Sequence, residues 1–506
     1  MKSIARNVFS NWAGFLINIL IAFFMSPFIV HSLGNVYYGL WVIMMQLSGY
    51  LGILELGVRS SVVKYVSEYI AQKDYTALNR LISLAITIYS VVAFISIVTS
   101  VFIAAFFDNI FNFPNYSLDV ARLVIIIIGI NVAIGFIFNV YYGILMGIQR
   151  YDIYNKVLIV TTMLKSAAIV GFLFLGYGIV ALGIIQIIFS LISNLSIVFF
   201  SNRKIPQLNI KLLLNFDVQL FKKVFKYSSI SFFVNISQKI IFQTDAFVIG
   251  IFLNAIQITY YAIPVTLVEY LRRLVISMTE IFVPMTSELE AKNDRSNILS
   301  LLINGTKVSL IIALPICIVF FFNGYDFIRL WMGEEYAQNG NYVLKVLAIT
   351  HLLSITHLTS REILFGMSLH KFNAICYGCE AIANLILSII LVKYFGIIGV
   401  AIGTAIPHII IVVFVFPIMM SRLLGIRITD YAIQSISSPV MASLPFAAYS
   451  AASAYNYHVS SLMEYFAMIG FGMPVYGVCI YFICLKHEER DKIKQVLVKK
   501  LSRRHA

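Results

Sequence analysis

A lysine and an aspartate stand in the run "ISQKIIFQTDAFVIGIF" (236–252), where most neighbours are apolar. At helical pitch Asn235, Gln238, Lys239 and Asp245 fall within an arc of about 120°, one polar stripe with Phe242 among them. The next run carries a second set. Glu269, Arg273 and Glu280 lie within about 40° of one another on an ideal helix, with Arg272 just beside them. Lys165, the pair Arg361-Glu362, and Glu380 are further charges in apolar surroundings. Lysine and arginine together suit an anion, because phosphate oxygens accept charge-assisted hydrogen bonds from an ammonium and from a forked guanidinium. Lys239, Arg273, Arg272, Lys165, Gln238 and Asn235 are therefore the candidate lining of an anion-binding cavity. Asp245 and Glu269 are candidates for a coupling ion, and Asp245 serves equally well as a neutralising partner for a nearby lysine. Glu280, Glu362 and Glu380 read as interhelical ion pairs, while His351, His357 and His408 fit either proton shuttling or a satisfied interior.

The elements that hold these groups follow from composition. Of 506 residues, 60% are hydrophobic and 12% charged, too little charge to cover a soluble surface of this size. The apolar runs are about 20 residues long, the length that a bilayer core of roughly 30 Å asks of a helix. Strand-like alternation is missing, so the fold class is an all-α integral membrane protein rather than a barrel. The runs resolve into about fourteen transmembrane helices. They lie near 8–32, 36–57, 79–107, 119–147, 153–176, 178–201, 224–253, 256–287, 299–323, 339–367, 372–394, 396–418, 431–453 and 461–485. An ionised group at the centre of such a helix costs at least about 2.5–3.5 kcal/mol, which marks the charges above as functional by default.

Basic residues alternate with this count. Lys2, Arg6, Arg59, Lys64, Lys73, Arg80, Arg150, Lys156, the 203–226 cluster, Lys292, Arg295, Lys371, Arg422, Arg427 and the tail from Lys486 fall on one side. The opposite loops hold little beyond Arg122, Arg329 and Lys393. Both termini are thus expected in the cytoplasm. The net charge of +14 reports this topology and attraction to anionic lipid, not nucleic-acid binding. Cys376-Tyr-Gly-Cys379 has redox or metal spacing, but no second pair or histidine cluster accompanies it, so the cysteines read as small buried residues and no metal site is expected. No Walker motif or nucleophile triad is present. Prolines 27, 264, 315, 407, 417 and 439 interrupt spans, as hinges or as packing kinks.

The chain also repeats itself. Ser67-Glu68, Ala71 and Asp74 recur as Ser287-Glu288, Ala291 and Asp294, and "VALG" (180–183) recurs as "VAIG" (400–403), both at an offset of 220. "ILMG" (144–147) matches "ILFG" (363–366), and Tyr37-Tyr38 matches Tyr260-Tyr261. Spans 1–6 and 7–12 therefore read as two related halves in parallel, which could rock to expose a midplane site to either face. The division is an N-lobe at 1–201, a cytoplasmic amphipathic linker at 202–223, a C-lobe at 224–418, two additional helices at 419–485, and a basic tail at 486–506. The four tyrosines would lie at the outer mouth, as interfacial anchors or glycan contacts.

"TDAFVIGIFLNAIQITYYAIPV" (244–265), "LGNVYYGLW" (33–41), "FVPMTSELEAKND" (282–294) and "EAIANLILSIILVKYFGIIGVAIGTAI" (380–406) carry a family resemblance. Together they resemble the polysaccharide transporters, the Wzx-like or O-antigen flippase branch of the multidrug/oligosaccharidyl-lipid/polysaccharide (MOP) flippase superfamily. The resemblance implies fourteen helices, with two six-helix lobes forming a V around a central cavity. It implies flipping of undecaprenyl-pyrophosphate-linked oligosaccharide across the bacterial inner membrane for O-antigen, capsule or a related glycan. The partners would be lipid-linked oligosaccharide and membrane lipids, with a polysaccharide polymerase and chain-length proteins as further partners of such a role. It implies no cofactor, and a proton or sodium gradient as the driving force. A lipid II flippase shares the pyrophosphate. A cationic-drug exporter would want an acid in span 1, which has none between Val8 and Ser32. A polymerase or ligase would want a large catalytic loop, whereas the outer segments 108–118 and 324–338 are short.

Overall fold

With no water to receive them, backbone N–H and C=O groups in a bilayer must pair within the chain, and long apolar runs therefore fold as helices. In the computed structural model the backbone is described for residues 2–55, 57–114, 117–210, 217–485 and 490–491. Within them, the side chains of 2–16, 223, 226–231, 233–235 and 370 lie outside the description.

The helices are α1 (Lys2–Leu51), α2 (Val58–Ala71), α3 (Tyr75–Ala105), α4 (Phe107–Ile110), α5 (Leu118–Gly147), α6 (Tyr151–Phe174), α7 (Ile179–Lys204), α8 (Val218–Phe252) and α9 (Ala255–Thr279). They continue as α10 (Phe282–Ala291), α11 (Arg295–Phe322), α12 (Gly324–Trp331), α13 (Glu334–Gly366), α14 (His370–Ile410), α15 (Phe416–Leu424), α16 (Ile428–Ala432), α17 (Ser438–Asn456) and α18 (Leu462–Cys479). Among the described residues, nine helical stretches are long and apolar enough to cross a membrane. Two of these, Ile17–Glu55 and Lys371–Leu424, contain a break where a glycine leaves the helical region, Gly34 (φ 75°) and Gly396 (φ 57°). The expected loops at 33–35 and 395 are thus single-residue kinks, made where a side chain would resist a positive φ.

Three boundaries differ from the sequence reading. The run 256–287 is two helices, because α9 ends at Thr279 and α10 restarts at Phe282. Arg272 and Arg273 therefore sit in the last third of α9 rather than mid-helix, and Glu280 lies in the turn. Pro417 and Pro439 stand at the second positions of α15 and α17, each within a helical run that continues unbroken from the turn before it. Each follows a π-helical turn, Ile411–Val415 and Ile433–Ser437, that absorbs the irregularity. In the expected linker, α7 runs on to Lys204 and Asp217 caps α8 by accepting from Leu220 N; positions 211–216 lie outside the described residues, as does most of the basic tail.

The internal repeat survives in backbone detail. Lys73 and Asn293 both take left-handed φ (59° and 55°), and Asp74 and Asp294 each cap the following helix. Gln149 and Ser368 form the second such pair (φ 57° and 60°). Gly147 packs against Val66, and Gly366 packs against Thr286 at the equivalent place. These close approaches are what small residues provide between membrane helices.

Contacts group the chain into two compact units: Met1–Ala262 with Tyr377–Val400, and Ile263–Cys376 with Ala401–Ala506. The first is centred on Val62, Tyr65, Leu81, Tyr89, Phe136 and Val140. The second has cores around Leu310, Ile355, Phe446 and Tyr476, and around Ile363, Leu364, Ile411 and Phe416.

Candidate functional site

In the first unit, the short 3₁₀ turn Gly52–Glu55 ends α1 and presents a carboxylate. The chain then reverses through left-handed Gly57 (φ 69°) into α2, which carries Arg59. Tyr89 of α3, fully buried, donates to Glu55 Oε1 at 3.4 Å. Arg59 lies 5.9 Å from the Tyr142 ring centroid and donates to Met146 Sδ at 3.5 Å. Both Arg59 and Lys239 of α8 act electrostatically on the Glu55 carboxylate. Lys239 thus lies with Arg59 in the electrostatic field of Glu55. Glu55 was absent from the sequence candidates; its i,i+4 spacing to Arg59 at the end of an apolar run was the available signal.

Farther along α8 the stripe continues in a different chemistry. Asp245 accepts from the Tyr261 hydroxyl of α9 at 2.5 Å, and Tyr50 of α1 pairs with Thr244. Gln243 packs against Gly49. Tyr38, Tyr260 and Tyr261 are buried, so these three are packing and hydrogen-bonding groups rather than interfacial anchors. Gln238 is half-buried on the same helix, and the side chain of Asn235 lies outside the described residues. Lys165 of α6 donates to Gln186 Oε1 of α7 at 3.1 Å, a neutral partner that leaves its charge uncompensated by that contact.

In the second unit, Glu269 organises the arginines of α9. Arg272 grips both carboxylate oxygens, Nε to Oε2 at 2.7 Å and a terminal nitrogen to Oε1 at 2.9 Å. Arg273 Nε also reaches Oε1 at 2.9 Å. One acid therefore holds two guanidiniums, with net positive charge. The Arg273 side chain is 64% exposed against 18% for Arg272. A guanidinium exposed on a helix in such apolar surroundings belongs to water rather than lipid, because hydrocarbon would charge heavily for it. Its two terminal nitrogens form the fork that suits a phosphate. Arg361 and Glu362 pair with each other in the interior, and Glu280 feels both charges. Glu380 is buried in the first unit.

The cysteines are free, with Cys376 buried and Cys379 exposed. Among the described residues no group of three His, Cys, Asp or Glu could hold a metal.

Comparison with solved structures defines the class. The fold is similar to a lipid II flippase, MurJ, in its inward closed conformation, with TM-score 0.71, 18% identity, and coverage of 94% of this chain and 97% of that one. It is also similar to an inward-facing multidrug resistance MATE family transporter of the MOP superfamily, at TM-score 0.62 and 14% identity over 79% and 95% of the two chains. The likeness is one of fold, that of a multi-pass helical membrane protein. The sequence comparison is narrower: the profile described as polysaccharide biosynthesis protein matches residues 37–339, and the chain belongs to that family. A protein of Shigella flexneri that carries the name of an O-antigen transporter is 22% identical over 413 residues, 80% of this chain and 94% of its own length. A Haloferax volcanii protein named as a low-salt glycan biosynthesis flippase, Agl15, is 28% identical over 264 residues, 50% of this chain and 53% of its own length.

Proposed function

We propose that this protein flips undecaprenyl-pyrophosphate-linked oligosaccharide across the bacterial inner membrane by alternating access, for assembly of a surface polysaccharide. The observation that carries the reading is Arg273, held by Glu269 beside Arg272 on α9 with its side chain 64% exposed. Family membership supports it, as do the names carried by the relatives. In the second unit Arg273 and Arg272 would meet the pyrophosphate; within the first, Lys239, Lys165 and Gln238 are proposed for the same anion chemistry, with Asn235 outside the described side chains. The finer architecture belongs to the same proposal: fourteen spans in two six-helix lobes plus two additional helices, both termini cytoplasmic. So do translocation without covalent catalysis, the absence of a cofactor, and coupling to an ion gradient. The fold likeness to a lipid II flippase supports a second reading, in which the cargo is lipid II.

The test is deletion in the host, followed by extraction of lipid-linked sugars and assay of surface glycan. Accumulated lipid-linked repeat units with lost surface polymer, restored by the wild type but not by Arg273→Glu, are expected. Arrested peptidoglycan precursor instead selects the lipid II reading. Intact glycan with intact precursor overturns both.

A further inference from the structure

One end of the first unit carries a cavity of about 260 Å³ that the anion site does not use. Ile70 and Tyr75 border it from the α2–α3 turn, and Ile148 and Arg150 from the α5–α6 turn. Lys204, at the end of α7, and Ile205 and Gln207 just beyond it complete the lining. These turns are among the basic ones that the charge pattern sets on a single side of the membrane. The last wall is tied down: Asn79 of α3 donates through Nδ2 to Gln207 O at 2.9 Å and accepts from Asn209 N at 3.0 Å. Ile205 is buried in the core of the unit.

The repeat shows that the fold does not require a cation in the α5–α6 turn. Arg150 N donates to Leu145 O at 2.8 Å, and Leu369 N donates to Leu364 O at 2.8 Å in the matching turn of the second half. Each follows a left-handed residue, Gln149 and Ser368. The same backbone turn thus forms around a leucine, which packs with Met367, Phe372 and Leu424. In the other turn Tyr75 matches Arg295, each following its capping aspartate, and Arg295 reaches over to Leu423 O at 3.3 Å. The second half therefore sets a leucine and a bonded arginine where the first sets Arg150 and Tyr75.

Helix electrostatics explain only part of the charge. Lys204 stands in the last turn of α7, where the dipole favours a cation. Arg150 precedes the first turn of α6, the end where the dipole opposes one. Asp152 offsets it, accepting from Nε at 2.9 Å and from Nη2 at 3.1 Å, which leaves Nη1 for a further acceptor. That pair is neutral, so Lys204 gives the lining one net positive charge. A phosphodiester carries one negative charge, whereas a phosphate monoester carries about 1.5–2. The three isoleucines suit glycerol and hydrocarbon rather than water. At about 260 Å³ the space falls below the roughly 300–1,000 Å³ of pockets for drug-sized ligands, which fits a headgroup and is too small for an oligosaccharide.

We infer that this cavity binds the phosphodiester headgroup of an anionic phospholipid, as basic pockets between membrane helices do. Lys204 and the unengaged nitrogen of Arg150 meet the phosphate, and Ile70, Ile148 and Ile205 meet the glycerol and the top of the acyl chain. The bound lipid ties the α2–α3 and α5–α6 turns to the segment that follows α7, and so stabilises the first unit. The site stands whichever cargo the protein moves.

The test uses the full-length protein in detergent, freed of lipid, at fixed ionic strength. Binding of short-chain phosphatidylglycerol, short-chain phosphatidylcholine and inorganic phosphate is read from the shift in melting temperature. Phosphatidylglycerol should bind and the other two should not. Lys204→Leu and Arg150→Leu should each weaken that binding about tenfold, the effect of one lost charge-assisted hydrogen bond. Arg203→Leu, which removes the same charge one residue outside the lining, should leave it unchanged. Gln207→Trp fills the cavity while keeping every charge and the backbone bond to Asn79, and should abolish binding; it decides the matter if Arg150→Leu fails to fold. Equal weakening by Arg203→Leu, or full binding by Gln207→Trp, would reduce the attraction to general surface charge and overturn the site. Inorganic phosphate that binds as well as phosphatidylglycerol and displaces it would overturn the lipid as ligand. Equal binding of phosphatidylcholine would overturn recognition of the anion.

Discussion

The Tyr261 hydroxyl donates to Asp245 Oδ2 at 2.5 Å, joining α9 to α8 across a buried tyrosine. This contact shows one way an apolar run tolerates a carboxylate: a donor on the neighbouring helix meets it. Tyr261→Phe removes a hydrogen bond to a charged group, worth about 1.5–3 kcal/mol. The variant should melt at lower temperature in detergent. Asp245→Asn, which keeps a carbonyl acceptor, should lose less. Equal melting of Tyr261→Phe and wild type would show that the bond contributes nothing.

Glu269 and Arg273 separate stability from transport. Glu269→Gln leaves Arg272 largely out of water with a neutral partner, and should cost about 3 kcal/mol, the low end for breaking a pair of this kind. Arg273→Ala removes the more exposed partner and should change stability by less than about 1 kcal/mol. Transport should rank the other way, with Arg273→Ala folded but strongly impaired in clearing lipid-linked sugars. A folded Arg273→Ala protein that restores full surface glycan would remove Arg273 from the binding site.

Much of this was legible in one dimension, because the bilayer imposes it. Apolar runs had to be helices, since a bilayer leaves the backbone no other partners. The repeat was legible for a different reason. Asp74 and Asp294 are helix caps that follow left-handed Lys73 and Asn293, so the matched letters were turn chemistry kept in both halves. The break after Thr279 was hidden, because helical periodicity runs smoothly on through Glu280 and gives no sign that the axis turns. Partners were hidden too. That Lys165 meets Gln186, that Asp245 meets Tyr261, and that Glu55 shares the field of Lys239 are facts about rotation and proximity of helices. Spacing within one helix says nothing of what its neighbour offers.

The cluster around Glu55 yields a charge-exchange prediction. Lys239→Glu places an acid near Glu55 and removes one of its two cations, so surface glycan should be lost. Adding Glu55→Lys restores an opposite pair in reversed order, with Arg59 now the like charge. Groups in one network couple by about 0.5–3 kcal/mol, so the double variant should be more stable than additivity of the singles predicts. A double-mutant cycle by thermal melting measures this directly. Strict additivity would mean that the two residues do not communicate.

Asp294 gives a pH prediction outside the membrane. It caps α11 by accepting from the Asn297 backbone, and hydrogen bonds from the Asn297 side chain and backbone, with Ser296, hold its carboxyl below the usual range. A depressed folded pKa means that the cap contributes above the unfolded value, near pH 3.9, and is lost as pH falls through the folded one. The first turn of α11 should therefore stay closed at neutral pH and open in acid. Amide hydrogen exchange at residues 296–299, corrected for its intrinsic acid dependence, should lose protection below about pH 4 in the wild type. In Asp294→Ala the same amides should already be unprotected at neutral pH, because an alanine offers no acceptor at this position. Protection in that variant matching the wild type at neutral pH would assign the helix start to packing alone.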